Sequence, residues 1–266
     1  MLSHFHYHAL NFLPLSLGHL KHPPQRLYFT GQLELLHAPL KVALVGSRTP
    51  SQYTQHASAT LAKTIAKYGG VVVSGGALGV DIIAQKNALP HTIMIAPCSL
   101  DRLYPPTNAR IITQIAQKGL ILSEYQKNCN PYRHSFLERN RLVVALSDCV
   151  IIPEANLHSG SMSSARLALM YQKPLFVLPQ RLGESLGTQE LLQRGKAQAI
   201  YDIELFCAKL AQDHHLSPPP SPQDTLLEFF KHAPTYEQAY ARFGDLLAEY
   251  ELQGLITRHN GYVVLA

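Results

Sequence analysis

From Lys41 onward the chain alternates short, nearly continuous apolar runs with amphipathic segments, and this alternation limits its possible folds more than any other feature. KVALVG (41–46), VVVSG (71–75), HTIMIAP (91–97), LILSEY (120–125), CVIIPE (149–154) and PLFVLPQ (174–180) have the Val, Ile and Leu content of strands buried on both faces. Helical patterns near 51–68, 79–89, 106–118, 135–147 and 160–172 fall between them. Strands separated in this way pair in parallel, because each crossover helix returns the chain to the same edge and covers one face of the sheet. With 46% hydrophobic residues among 266, the chain can bury a substantial core.

The expected fold is therefore α/β: a Rossmann-like, mostly parallel sheet with helices on both faces, over residues 23–212, behind a short amino-terminal segment, 1–22. Residues 213–224 include DHHLSPPPSPQ, whose four prolines and lack of periodicity describe an extended linker. Residues 225–266 carry helical patterns near 225–232, 235–243 and 245–253. They end in ITRHNGYVVLA, two β-rich runs around Asn260-Gly261, a hairpin signal. Three short helices and a terminal hairpin describe a winged helix-turn-helix.

Such modules usually enter duplex DNA with a recognition helix. Here residues 225–266 hold three basic side chains (Lys231, Arg242, Arg258) against five acidic ones (Glu228, Glu237, Asp245, Glu249, Glu251), a net charge of −2. The expected recognition helix, DLLAEYELQG, carries three of those acids and would repel phosphate. A protein-interaction role or structural completion is the expectation there. The formal charge of the whole chain is +5, so residues 1–224 carry +7, which favours a polyanionic partner for the α/β part.

Only 15% of the residues are charged, which excludes a disordered or coiled-coil chain. Cys98, Cys129, Cys149 and Cys207 are far apart and form no C-x-x-C pair, so neither a disulfide framework nor a zinc site is expected, and a reducing cytoplasm fits. No stretch reaches 18 apolar residues, so no membrane insertion is expected. The amino terminus lacks the basic start of a signal peptide. His4, His6 and His8 alternate as strand ligands would, but a frayed terminal segment is the simpler reading.

In open α/β sheets, ligands sit outside the carboxyl ends of the strands, so the residues just after each strand matter most. The first strand is followed by Gly46, Ser47 and Arg48: a small residue, a hydroxyl with an amide, and a fixed cation. The second is followed by Ser74, Gly75 and Gly76, leading to a helix from about Gly79. In SGGALG the first place of a G-x-G-x-x-G fingerprint is a serine, near a dinucleotide site without matching it. Bare glycines here are read as admitting a phosphate to the backbone. After CVIIPE come His158, Ser159, Gly160 and Ser161, again small, polar and opening a helix.

The segment 127-KNCNPYRHSFLERNR-141 sets Lys127, Arg133, Arg139 and Arg141 against one acid, Glu138, with Tyr132 and Phe136 interleaved and Asn140 between two arginines. Cations that track a backbone, with aromatics to receive bases, make up a single-strand site; the alternative is a solvated helix start with Phe136 tucked into the core. Asp81 is read as capping the next helix or ordering its loop, and Asp101 as fixing the turn-rich stretch 102–108. Glu124 and Glu154 end buried strands, where a carboxylate more often bonds loop amides than acts in catalysis. Met94, Met162 and Met170 are read as core filler.

Taken in order, PPQRLYFTG (23–31), VALVGSR (42–48), VVVSGGALGVD (71–81), TIMIAPCSLDRLYPPTN (92–108), LILSEY (120–125), FLERNR (136–141) and EANLHSGSMSSARLAL (154–169) resemble the DNA-processing protein A family (DprA, also called Smf). The resemblance covers about residues 23–211. It implies a Rossmann-like dimer that binds single-stranded DNA, protects incoming strands in natural transformation and helps load the recombinase RecA, with no catalysis and no cofactor or metal. The motif positions implied to carry DNA are Ser47 and Arg48, Ser74 to Gly76, Asn108, Phe136, Arg139 to Arg141, and Ser159 to Ser161. Gly46 and Arg133 join them on their chemistry. The chain departs from the family at Leu78, where arginine is frequent, at Gln85 (histidine), Leu137 (proline) and Ser164 (threonine). The amino-terminal helical domain of many members has no room before Pro23.

Two other classes compete. A nucleotide-acting hydrolase is suggested by similarity to phosphoribohydrolases, but PEANLHSGSMSSA (153–165) has no acid after Glu154 to act at a glycosidic bond. A nicotinamide-dependent oxidoreductase would use Gly76, Gly79 and Asp101, yet its glycine loop follows the second strand and no proton relay is evident. The apolar stretch 197–207 is the candidate dimer surface.

Overall fold

In the computed structural model, residues 5–132, 134–216 and 228–266 are described. Arg133 and residues 217–227, which include most of the proline-rich stretch and the start of the 225–232 pattern, lie outside them. The chain divides into two units, Met1–Ser217 and Pro218–Ala266.

In the first unit the six apolar runs become strands β3 (Lys41–Leu44), β4 (Val71–Ser74), β5 (Thr92–Ile95), β6 (Leu120–Ser123), β7 (Cys149–Ile152) and β8 (Leu175–Val177). Two short strands, β1 (His8–Ala9) and β2 (Tyr28–Gly31), precede them, and β9 (Gln198–Ala199) follows. The sheet order is β1-β2-β6-β5-β4-β3-β7-β8-β9. The seven strands from β3 to β9 are mutually parallel, in registers such as Val42↔Val72 and Val42↔Cys149. β2 runs antiparallel to β6, and β1 to β2. The helices are α1 (Leu15–Gly18), α2 (Gln52–Lys67), α3 (Val80–Ala88), α4 (Ala109–Lys118), α5 (Ser135–Leu146), α6 (Gly160–Met170), α7 (Leu186–Gln193) and α8 (Ile203–Asp213).

Because side chains alternate along a strand, each central strand feeds two cores. Val42, Leu44, Val72 and Ile151 pack with Leu61 and Ile65 of α2, Ala84 of α3 and Cys207 of α8. Ala43, Val73, Ile93, Val150 and Ile152 pack on the other face with Leu142 and Val143 of α5 and with Ala165 of α6. This is the Rossmann-like, mostly parallel arrangement read from the sequence.

The amino-terminal segment departs from the frayed expectation. His8 and Ala9 pair with Phe29 and Tyr28, and Leu10, Leu17 and Leu20 are buried in the α5–α6 core. These three leucines anchor it, so 1–22 is no separate appendage where it is described. His6 and His8 are exposed. The linker also begins later than expected: Asp213 ends α8, and Leu216 packs against the α2 core. Met94 and Met162 are buried, but Met170, at the last turn of α6, is 70% exposed and fills no core.

In the second unit residues 228–230 are helical, followed by α9 (Tyr236–Phe243), α10 (Leu246–Leu252), β10 (Ile256–His259) and β11 (Tyr262–Leu265). The Thr235 hydroxyl and the Gln238 side chain form a capping box at the start of α9. Asn260 and Gly261 turn the hairpin with φ of 50° and 85°, both left-handed, as Asn-Gly favours. Phe230, Ala239, Leu247, Ile256 and Val263 form a separate small core.

Candidate functional site

β3 lies between β4 and β7 in the sheet, so chain leaving β3 returns on one side while chain entering β7 arrives on the other. The carboxyl ends of β3 and β7 therefore splay apart, and a crevice opens where the strand order reverses. A cleft of about 590 Å³ occupies this place. Nine of the anticipated residues line it: Gly46, Ser47 and Arg48 from the end of β3, Phe136, Arg139 and Asn140 from α5, and Ser159, Gly160 and Ser161 at the start of α6. On α5 the spacing 136, 139, 140 keeps these three on one face.

Arg139 is the floor. It is 3% exposed, and its Nη1 lies 3.8 Å from Asp81 Oδ2. Neither Nε nor Nη1 has a hydrogen-bond partner among the described residues. Asp81, in the first turn of α3, accepts the Gly75 amide at 3.2 Å, so it orders the glycine loop as expected. Burial pushes the Asp81 carboxyl up from its ordinary value, against the pull of Arg139 and of the Ala77, Gly46 and Gly75 amides. Burial likewise draws the Arg139 guanidinium down, with Asp81 opposing. Asp81 is the one carboxylate among the described lining residues.

Arg48 is the rim. It is exposed, and its guanidinium carbon lies 5.6 Å from the centre of the Phe136 ring. No carboxylate among the described residues pairs with it. Phe136 also meets Tyr104, with ring centres 5.6 Å apart at 54°. The half-buried Phe136 is thus neither core nor free: one edge packs on Tyr104 and the ring lines the cleft.

The α6 wall is polar. The Ser159 hydroxyl caps the helix by accepting the Met162 amide at 3.3 Å. The first-turn amides of Gly160 and Ser161 have no intrahelical acceptor, as at any helix start, and point out of the amino end. A Cβ built on Gly160 would meet no atom within 4 Å.

The second glycine loop is built differently. A Cβ on Gly75 would overlap the Arg139 guanidinium, one on Gly76 the Met94 side chain, and one on Gly79 the Ser47 and Arg48 backbone. These glycines admit other parts of the protein, not an open approach for phosphate. Ser74 is fully buried and donates to the Leu44 carbonyl at 2.7 Å. Asn108 is buried and donates to the Gly76 carbonyl at 3.0 Å. Ser74, Gly76 and Asn108 therefore lie behind the cleft wall, and Gly75 lies beneath Arg139.

Arg141 faces away from the cleft and binds Glu124 at 2.6 Å. Arg133 falls outside the described residues. The Ser47 amide donates to the Glu154 carbonyl at 3.0 Å, so the hydroxyl alone is left for a ligand. Glu154 itself accepts the Ser51 amide at 3.0 Å, and Asp101 accepts the Asn128 amide at 3.2 Å. Both carboxylates order loops, and neither lines the cleft. Burial raises Asp101, but the Ser99 hydroxyl and the Asn128 amide outweigh it and hold the carboxyl below its ordinary value.

Tyr104, Leu137, Asn156 and Ser164 also line the cleft and were not singled out as ligands. Ser164 follows Ser161 by one helical turn, a spacing that could have flagged it. Tyr104 sits in the stretch 102–108, which its prolines disguise as punctuation only.

The sequence pattern of the family described as DNA recombination-mediator protein A matches residues 5–211. The chain belongs to that family. A Smf protein from Synechocystis is 32% identical over 73% of the chain and 51% of its own length. A DNA processing protein DprA from Bacillus subtilis is 30% identical over 77% and 72%. Among solved structures, a DNA processing protein A from Helicobacter pylori, described for its single-stranded DNA binding mode, is 60% identical with a TM-score of 0.79. It covers 80% of this chain and 99% of its own. DprA from Streptococcus pneumoniae is 29% identical with a TM-score of 0.70, over 78% and 75%. The chain spans about half the length of the first curated relatives it matches. The family match ends before the second unit.

Proposed function

We propose that this chain is a single-stranded-DNA-binding recombination mediator that protects incoming strands during natural transformation and helps load RecA, working in the cytoplasm as a homodimer without catalysis. The observation that carries the reading is the switch-point cleft, with a buried Arg139 short of partners in its floor and Arg48 over Phe136 at its rim. In this arrangement phosphates meet the arginines, the α6 amides and the serine hydroxyls, and one base stacks near Phe136. Stacking contributes about 1–3 kcal/mol per base and is tolerant of sequence. Family membership and the strand-binding mode of the Helicobacter pylori protein support it.

Gly46, Ser47, Arg48, Phe136, Arg139, Asn140 and Ser159 to Ser161 are the proposed contacts. Ser74 to Gly76 and Asn108 are proposed to shape the wall behind them. For the dimer, the free edge of β9 with Tyr201 and Leu205, 87% and 70% exposed, keeps the 197–207 stretch as the proposed surface. We assign the second unit to the winged-helix type, supported by its helices, its hairpin and the bridge between Thr235 and Tyr262 that adds a third strand position. Its acids on α10 favour a protein partner there.

Fluorescence anisotropy with labelled poly-dT, against duplex of equal length over a salt series, tests the reading. Tight strand binding that exceeds duplex binding and falls steeply with salt is expected. No strand binding at low salt would overturn it.

A further inference from the structure

We propose that the floor of the cleft is a terminal-phosphate subsite, taking the phosphomonoester of a strand end or of a free nucleotide in preference to the phosphodiester within a strand. This rests on the strand-binding reading of the same cleft. Three features converge on it.

The first is the state of Arg139. A guanidinium offers five N–H donors, yet this one is buried with a single carboxylate at 3.8 Å and no hydrogen bond to Nε or Nη1. A buried cation so poorly matched is relieved by an anion at its side. The second is the donor set opposite. The Gly160 and Ser161 amides are unpaired at the start of an eleven-residue helix. The hydroxyls of Ser47 and Ser159 each accept a backbone amide, from Thr49 and Met162, which leaves their own protons to be donated outward. These amides and hydroxyls are set to give hydrogens, so they favour ligand atoms that accept.

The third is charge and oxygen count. Arg48 and Arg139, offset by Asp81 and joined by the half-charge of the α6 amino end, set a net charge of roughly +1.5 around the cleft. A phosphodiester brings one negative charge and has two of its four oxygens esterified. A phosphomonoester brings about −1.5 to −2 and three free acceptor oxygens. A volume of about 590 Å³ also suits a small ligand such as a mononucleotide.

The experiment compares oligo-dT of one length carrying a 5′-hydroxyl, a 5′-phosphate or a 3′-phosphate, with dTMP, thymidine and inorganic phosphate as competitors. A terminal phosphate is expected to tighten binding roughly tenfold, a step equal to one well-placed charged hydrogen bond. dTMP is expected to compete where thymidine does not. A strand-end preference identifies the polymer terminus as the source of the phosphate; competition by dTMP without an end preference identifies the free nucleotide.

Replacing Arg139 would strand Asp81 and endanger folding, so Gly160→Pro is the better probe. It deletes one amide at a first helical position, which proline suits, and Ser159 (φ −104°, ψ 161°) already has the extended backbone that precedes proline. In this variant the ratio of phosphate-ended to hydroxyl-ended affinity falls towards one. Equal affinity of all three oligonucleotides with no competition by dTMP overturns the terminal-phosphate subsite while leaving strand binding intact. Failure of every oligonucleotide to bind overturns the strand-binding reading itself.

Discussion

The β4–α3 loop and the β7–α6 loop look alike as sequence, each a serine and glycine turn after a buried strand and before a helix. Folded, they are opposites. In the first, Arg139, Met94 and the Ser47–Arg48 backbone occupy the space that side chains at Gly75, Gly76 and Gly79 would need. In the second, nothing lies near Gly160, and the helix amides open onto the cleft. A glycine marks a close approach to the backbone, but the approaching group can belong to the protein as readily as to a ligand.

The sharpest way to break this contrast is Gly75→Ala, which drives a methyl into the Arg139 guanidinium. Displacing a buried charge from its partner costs about 3–5 kcal/mol, so urea denaturation should show a large loss of stability or no folded protein. A normal midpoint would mean that Arg139 is not seated on Gly75. Next comes Arg48→Ala, at the open rim. It is expected to weaken binding of all single strands alike and to flatten the salt dependence by about 0.7 in slope, with the denaturation midpoint unmoved. Base-selective loss would show instead that Arg48 reads bases.

Ser159→Ala removes the α6 cap and should destabilise the fold by about 1 kcal/mol, measured in the same denaturant series. Gly160→Ala completes the comparison with Gly75→Ala. With open space around it, its effect on stability should stay within about 0.5 kcal/mol. A loss near that of Gly75→Ala would erase the distinction between the two loops.

The parallel sheet was legible because each central strand is apolar on both faces, a pattern few other folds use. β1 was not, since two residues such as His8 and Ala9 carry no periodicity, and their pairing is decided by Leu10, Leu17 and Leu20 finding the core. The cleft was legible in outline, because carboxyl ends of strands are where such sheets bind. Its internal bookkeeping was hidden: Arg139, Asp81 and Gly75 are up to 64 positions apart in sequence and meet only after folding. The partnership of Arg141 with Glu124, 17 positions away, was hidden too, and it turns one cation of an apparently uniform basic run away from the cleft. Leu78 is exposed in a small pocket beside Arg48 and Phe136 and brings no charge to that rim.

The cleft draws its lining from segments as far apart as Val45 and Ser164. No contiguous stretch contains it, and its two walls are joined through the pairing of β3 with β7, more than 100 positions apart, and the bonds of Ser47 and Ser51 to Glu154. Contacts of such long separation form slowly, after the local helices. During synthesis, a chain that has not yet delivered α6 lacks the Ser159 to Ser164 wall of the cleft. On the proposed reading, recovery of strand binding on refolding would report closure of the whole sheet.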